Sequence, residues 1–252
     1  MSTENHFIKA GFVCGIMSEE RCLVDAGITN QILLSGTRCE RAKQQSEKLV
    51  KSGANLLISV GIAGGIDPDL VPGSVIIADS VIYACDSNSN QYSLGHKTSL
   101  LNAYKELETD PVLSNIIEKS LPFRSWRGPI IGADIPITRP EHKKEIFRKT
   151  STLACDMESH VVGQVAVSAG IPFIVIRVIS DPSNRHIPFA AISCIKSTGQ
   201  VSIAKFFAGL ALRPWDVRHF FHLALGSRVA HRQLRCVARA IAPLFCGASI
   251  TA

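Results

Sequence analysis

Five short runs rich in valine and isoleucine, at 7–16, 31–35, 55–62, 74–82 and 172–179, constrain most strongly what this chain can fold into. Each has the length of a strand, and its apolar positions are consecutive rather than alternating, as in a strand covered on both faces. Helix signals lie between them. Residues 38–52 close on Gly53, residues 140–150 open with Pro140 shortly after Thr138, and residues 157–169 close on Gly170. Strands and helices in alternation predict an α/β fold: a single domain with a central, twisted, mostly parallel (mixed) sheet flanked by helices. Ligands of such sheets bind beyond the carboxyl ends of the strands. With 252 residues the chain can bury a large core. No repeat or low-complexity linker divides it, so one domain is expected over 1–212, with an extension over 213–252 that opens at Arg213-Pro214. The polar, turn-rich segment 83–97 predicts a surface loop near the mouth of the site.

Composition removes several classes. A chain that is 46% hydrophobic and 19% charged is globular rather than disordered. No apolar run approaches the roughly 18 residues of a membrane span, and the N-terminal stretch lacks a basic n-region and a cleavage pattern. The eight cysteines show no C-x-x-C spacing and sit mostly in apolar contexts, as buried thiols of a reducing cytoplasm would. Neither a disulfide framework nor a zinc site is expected, so the metal reading is none. Charge is uneven: after Asp181 nine Lys/Arg face the single acid Asp216, while the preceding residues are nearly balanced.

Several residues could carry chemistry, each beside a plainer alternative. Gly61-Ile62-Ala63-Gly64-Gly65-Ile66 follows an apolar strand, and its glycines would expose backbone N–H groups to an oxyanion or a sugar hydroxyl. It is not a dinucleotide fingerprint, and a tight turn explains it equally well. Met157-Glu158 stands where residues 151–155 turn into a helix, a place that also suits a capping carboxylate. Asp181 ends the run Ile174–Ser180 before Pro182, where a turn-initiating aspartate is the bland reading. Arg177, inside that apolar run, needs a carboxylate on a neighbouring strand or helix. Met17-Ser18-Glu19-Glu20-Arg21 follows the first strand, and two acids at a helix start are ordinarily capping residues.

Taken in order, strand–Met-x-x-Glu, strand–Gly-x-Ala-Gly-Gly, Asp-Met-Glu and strand–Ser-Asp resemble the nucleoside phosphorylase superfamily over residues 8–181, closest to the branch of the methylthioadenosine/S-adenosylhomocysteine nucleosidases. The segments Asp156–His160, Arg177–Pro182 and Gly132–Thr138, with the basic tail, look like the hopanoid-associated phosphorylases that act on adenosylhopane. The resemblance implies cleavage of a purine nucleoside with release of adenine. It implies that Asp181 is the general acid at purine N7, beside Ser180 at the base. Glu158 would hold the ribose 2′-hydroxyl, Met157 would pack beneath the sugar, and Glu20 would orient the nucleophile or the 3′ side of the ribose. Pro136-Ile137 would lie against the base, although relatives usually carry an aromatic side chain there. Ile62 stands where many relatives have Ser or Thr. No cofactor is implied; the co-substrate is orthophosphate or water. Phosphate would lie on Gly61, Ala63 and Gly64 with Arg38 and Arg41, or Arg21, whose alternative is a solvated helix face. A positioned acid contributes roughly 10²–10⁴-fold to such a step, and a carboxylate at the 2′-hydroxyl tightens its grip as the sugar becomes cationic.

The tail at 215–245 predicts one or two amphipathic helices with a break at Gly226. Arg228, Arg232, Arg235 and Arg239 form one stripe; Leu234, Val237, Ile241 and Leu244 form another. Packing on the domain with a solvated basic face is one reading. Peripheral contact with anionic lipid at the inner face of the membrane is the other, suited to a lipid-linked nucleoside. Nucleic acid is not expected as a partner, and the resemblance implies a homo-oligomer.

Overall fold

The computed structural model describes residues 8–188 apart from 30, 37 and 85–103, and residues 217–245 together with positions 191 and 202. Eight strands are present: β1 (Ala10–Cys14), β2 (Ile32–Leu34), β3 (Leu56–Gly65), β4 (Val75–Ala84), β5 (Tyr104–Glu108), β6 (Trp126–Gly132), β7 (Ala154–Asp156) and β8 (Phe173–Asp181). The helices are α1 (Met17–Val24), α2 (Cys39–Lys51), α3 (Pro111–Ser120), α4 (Pro140–Thr150), α5 (Ser159–Ala169) and α6 (Val217–Phe245). All five strands and three helices foreseen in the sequence are found. The elements β5, α3 and β6, in a stretch the sequence reading left blank, are added by the structure. Of the expected loop at 83–97, Tyr83 and Ala84 complete β4, and the remainder lies outside the described residues.

The sheet is mixed, with more parallel than antiparallel pairs, in the order β2-β1-β3-β7-β6-β4-β5. It also closes on itself: β8 pairs parallel with β3 and antiparallel with β4, so β3, β7, β6, β4 and β8 form a ring. Register slips between Ala63 and Gly64 in β3, and between Ala78 and Val81 in β4, bend the long strands where closure requires it.

Alternation along each strand builds two core layers. Phe12, Ile58, Val60, Ile174, Ile176 and Val178 face the layer shared with α1 and α6. Val13, Leu57, Phe173, Val175 and Ile179 face the other layer, shared with α2 and α5. Residue 177 falls in the second series, which aims Arg177 toward α5.

α6 is one continuous helix rather than two. Ala230, Leu234, Val237, Ala238 and Ile241 are buried in the first core layer, while Arg228, Arg232, Arg235 and Arg239 are exposed. Gly226, expected as a break, serves a close approach instead. A Cβ there would stand 2.1 Å from the carbonyl oxygen of Ser180, so only glycine lets the helix backbone cross the end of β8. No helix among the described residues is long and apolar enough to cross a membrane.

Candidate active site

The carboxyl ends of β3, β7 and β8 and the segment after β6 surround a cavity of about 160 Å³. Ile62, Ala63 and Gly64 form one wall; Pro136 and Ile137 form another with Ile135; Asp156, Met157, Glu158 and Ser180 are among the other lining residues. The glycine-rich segment is the end of β3 itself and not a turn after it. Two of its glycines make room for carboxylates. A Cβ on Gly61 would lie 2.6 Å from Glu19 Oε1, and one on Gly64 would lie 3.2 Å from Asp181 Oδ2.

Glu158 immediately precedes α5. It is buried, at 7% exposure, and its side chain caps nothing; the carboxylate that accepts from the helix N–H of Ser159 is Asp156, at 3.3 Å. Burial first, then the Asp156 carboxylate, push the Glu158 carboxyl up to about 8, and Arg177 works against both. Beneath it lies a closed polar network. Arg177, 2% exposed, donates from Nε to Asp156 Oδ2 at 2.6 Å and from NH2 to Ser59 Oγ at 2.6 Å and Ser159 Oγ at 2.9 Å. Its NH1 donates to the Ile176 carbonyl at 3.0 Å, and NH2 stands 4.0 Å from Glu158 Oε2. The partner that the sequence demanded for this arginine is Asp156, on β7.

Asp181 closes β8 and is 5% exposed. Ser180 Oγ donates to its Oδ1 at 2.8 Å, and Lys143 Nζ donates to its Oδ2 at 2.5 Å. Lys143, on α4, is fully buried. The sequence reading missed it because α4 carries several other bases, and only the three-dimensional fold distinguishes the one turned inward. Asp181 itself lines not this cavity but a neighbouring one. Ser180 and Ile187 wall the first cavity and also a second, of about 280 Å³, that is lined by Asp181, Arg185, His186, His222 and Val229.

Beside Glu20, the acid tied to the end of β3 is its neighbour Glu19, the third residue of α1, whose carboxylate folds back over the helix start as that position favours. Glu19 Oε2 accepts from the N–H groups of Gly15 at 2.7 Å and Ile16 at 2.9 Å, and its Oε1 accepts from Ile62 N–H at 2.8 Å. Glu20, one residue further along the helix, is half-buried. The phosphate candidates are dispersed. Arg38 is an exposed residue at the start of α2, Arg41 donates to the Leu34 carbonyl at 3.1 Å, and Arg21 is exposed on α1. Ala63 and Gly64 line the crevice end of β3, whereas Gly61 faces the Glu19 carboxylate, and Ile62 N–H is already taken by Glu19.

Behind Met157, Cys39, Asp134 and His160 place one ligand-type atom each within 4.8 Å of the others. Hydrogen bonds account for this cluster: His160 Nε2 and Asp134 Oδ1 are 3.2 Å apart, and the Cys39 thiol donates to the Met157 carbonyl at 3.3 Å. Burial first, and then Asp134, push the Cys39 thiol up.

A closed mixed sheet with buried carboxylates at the ends of β7 and β8, on two neighbouring cavities, defines an α/β protein with a polar site at these strand ends. The chain belongs to the Phosphorylase superfamily, whose profile matches residues 24–204. Among curated relatives, a 5′-methylthioadenosine/S-adenosylhomocysteine nucleosidase of Staphylococcus haemolyticus is 25% identical over 199 residues, covering 68% of this chain and 86% of its own. The enzyme of that name from Buchnera aphidicola is 31% identical over 143 residues, covering 54% and 55% respectively. Among solved structures, a mutant Helicobacter pylori nucleosidase with 5′-methylthioadenosine in its active site superposes with a TM-score of 0.62 at 14% identity, covering 82% of this chain and all of the other. The futalosine hydrolase of the same organism gives 0.62 at 15% identity, covering 92% and 97%.

Proposed function

We propose that this protein cleaves the N-glycosidic bond of a purine nucleoside. The supporting observation is the pair of buried carboxylates at neighbouring cavities: Glu158 lines the one of about 160 Å³, and Asp181, which lines the one of about 280 Å³, stands behind Gly64 and Ser180 of the first cavity's wall. The ribose would rest on Glu158 and Met157, and the base between Pro136-Ile137 and Ser180, with Asp181 toward N7. As the bond from C1′ to N9 lengthens, positive charge grows on the sugar and negative charge on the base. Glu158 in its ionised form stabilises the first, and a proton delivered through Asp181 neutralises the second. Glu19, fixed by three N–H groups, would face the nucleophile.

The finer reading is release of adenine from adenosylhopane by phosphorolysis. It is supported by the Asp156–His160 and Gly132–Thr138 segments, and by the exposed arginine stripe of α6 as a contact for anionic lipid. Arg38 and Arg41 are the cations that would meet phosphate. The relatives favour a second reading, hydrolysis of methylthioadenosine or S-adenosylhomocysteine, since those matched are named for it.

Free adenine is measured with methylthioadenosine and with nucleosides of graded 5′ apolarity, each with and without phosphate. Release that requires phosphate and rises with 5′ apolarity supports the finer reading. Rapid release from methylthioadenosine without phosphate supports the second. Asp181→Asn should lose about 100-fold in turnover while still binding, and an undiminished rate in that variant would remove the catalytic assignment.

A further inference from the structure

Lys143 is the buried charged group that this mechanism leaves unused. Its neighbours Lys144, Arg148 and Lys149 are exposed, whereas Lys143 has no exposed surface. Burying an ammonium is costly, and an apolar residue of similar volume would fill the same space more cheaply. The charge is aimed at one target: Nζ lies 2.5 Å from Asp181 Oδ2 and 3.4 Å from the Pro182 carbonyl oxygen.

We propose that Lys143 is a positioning residue that supplies, through Asp181, the proton taken by the leaving purine. The inference rests on the nucleoside-cleaving function described above. At rest the pair is an ammonium and a carboxylate. As the C1′–N9 bond breaks and its electron pair moves into the base, a proton passes from Nζ to Asp181 and from the carboxyl group to purine N7. A neutral amine, a carboxylate and a neutral purine remain, and the positive charge has moved to the sugar beside Glu158. Attack by water on the sugar releases a proton, and the amine is recharged from solvent. The cavity of about 280 Å³ that Asp181 lines offers the path.

The groups around the pair are consistent with this assignment. Cys155 on β7 is held as a thiol, raised to about 12 mainly by burial, and Asp156 is committed to Arg177. Arg185 and His186 on the segment after β8, and His222 on α6, line the second cavity. Lys143 is the cation in direct contact with the carboxylate.

The test compares the pH dependence of kcat/KM for adenine release in the unaltered protein, Lys143→Met and Lys143→Arg. Methylthiotubercidin, which lacks N7, serves as a binding probe, and thermal melting checks folding. With Met the proton source behind Asp181 is gone, so the loss should grow as the pH rises and reach about 100-fold at the alkaline end of the profile. With Arg the charge is kept but cannot be surrendered, so the loss should be about 100-fold throughout. Binding of methylthiotubercidin should stay within about threefold in each variant, since it involves no proton transfer. Restoration of activity by Arg would mean that the ion pair is only structural and would overturn the proposal. So would a Met variant whose pH profile matches the unaltered protein. If the unaltered protein releases no adenine from any nucleoside, the functional reading falls and takes this one with it. If release is lost in Asp181→Asn but insensitive to both Lys143 variants, only the role of Lys143 is refuted.

Discussion

Replacing Arg177 by methionine should remove the structural support beneath Glu158, and the size of the effect can be worked from the network. The substitution deletes donors to Asp156, Ser59, Ser159 and the Ile176 carbonyl in a site with 2% exposure. Met fills most of the volume, so the cavity cost is small and the main cost is a buried carboxylate without its cation. Asp156 retains the N–H and hydroxyl of Ser159, which compensate in part. Breaking a buried pair from one side costs about 3–5 kcal/mol, a large share of the roughly 5–15 kcal/mol that stabilises a typical domain. Urea unfolding at pH 7 should therefore show a lower midpoint with an unchanged slope. The double variant Arg177→Met with Asp156→Asn should recover much of the loss, because the stranded charge is gone. A single variant within about 1 kcal/mol of the parent, or a double variant no better than the single, would refute the view that Asp156 and Arg177 act as one unit.

Two further outcomes follow from the same site. The Glu158 carboxyl, raised to about 8 from its ordinary 4.5, binds its proton more tightly folded than unfolded. Its contribution to stability is therefore complete below about 4.5 and lost as the pH rises through about 8. Glu158→Gln should flatten that decline in melting temperature, and a parent whose melting temperature does not fall across this range would contradict the assignment. Among the acids of α1, Glu19→Gln should weaken three backbone contacts, costing about 1–3 kcal/mol and lowering turnover at least tenfold. Glu20→Gln should stay within about 0.5 kcal/mol and a few-fold in rate; parity between the two variants would restore Glu20 as the candidate.

Local signals carried the parts of the fold that depend on neighbours in sequence. The continuous apolar runs marked strands buried on both faces, and Gly53, Pro140 and Gly170 marked helix ends within a residue or two of their observed positions. β5 escaped notice because Tyr-Lys-Glu-Leu-Glu is mostly exposed, with little apolar pattern to reveal it. β6 escaped because Gly128 and Pro129 interrupt it. At the site, the need of Arg177 for a carboxylate was legible, since an unpaired guanidinium in an apolar strand is energetically excluded. The choice between Glu19 and Glu20 was open to a stricter reading of the helix start, because the third helical position is the one that folds back.

By sequence alone, then, this protein was bound to be an α/β domain with acids at the ends of buried strands, because hydrophobic periodicity and turn chemistry act over a few residues. What only the tertiary structure decided was which groups meet. Closure of the sheet through β8 brings Asp181 beside Gly64 and Cys155, residues far from it in the chain. The rotation of α4 against that ring selects Lys143 from its neighbours, and the bare backbone of Gly226 brings α6 onto Ser180. Such encounters depend on packing between distant segments, and no spacing along the chain encodes them.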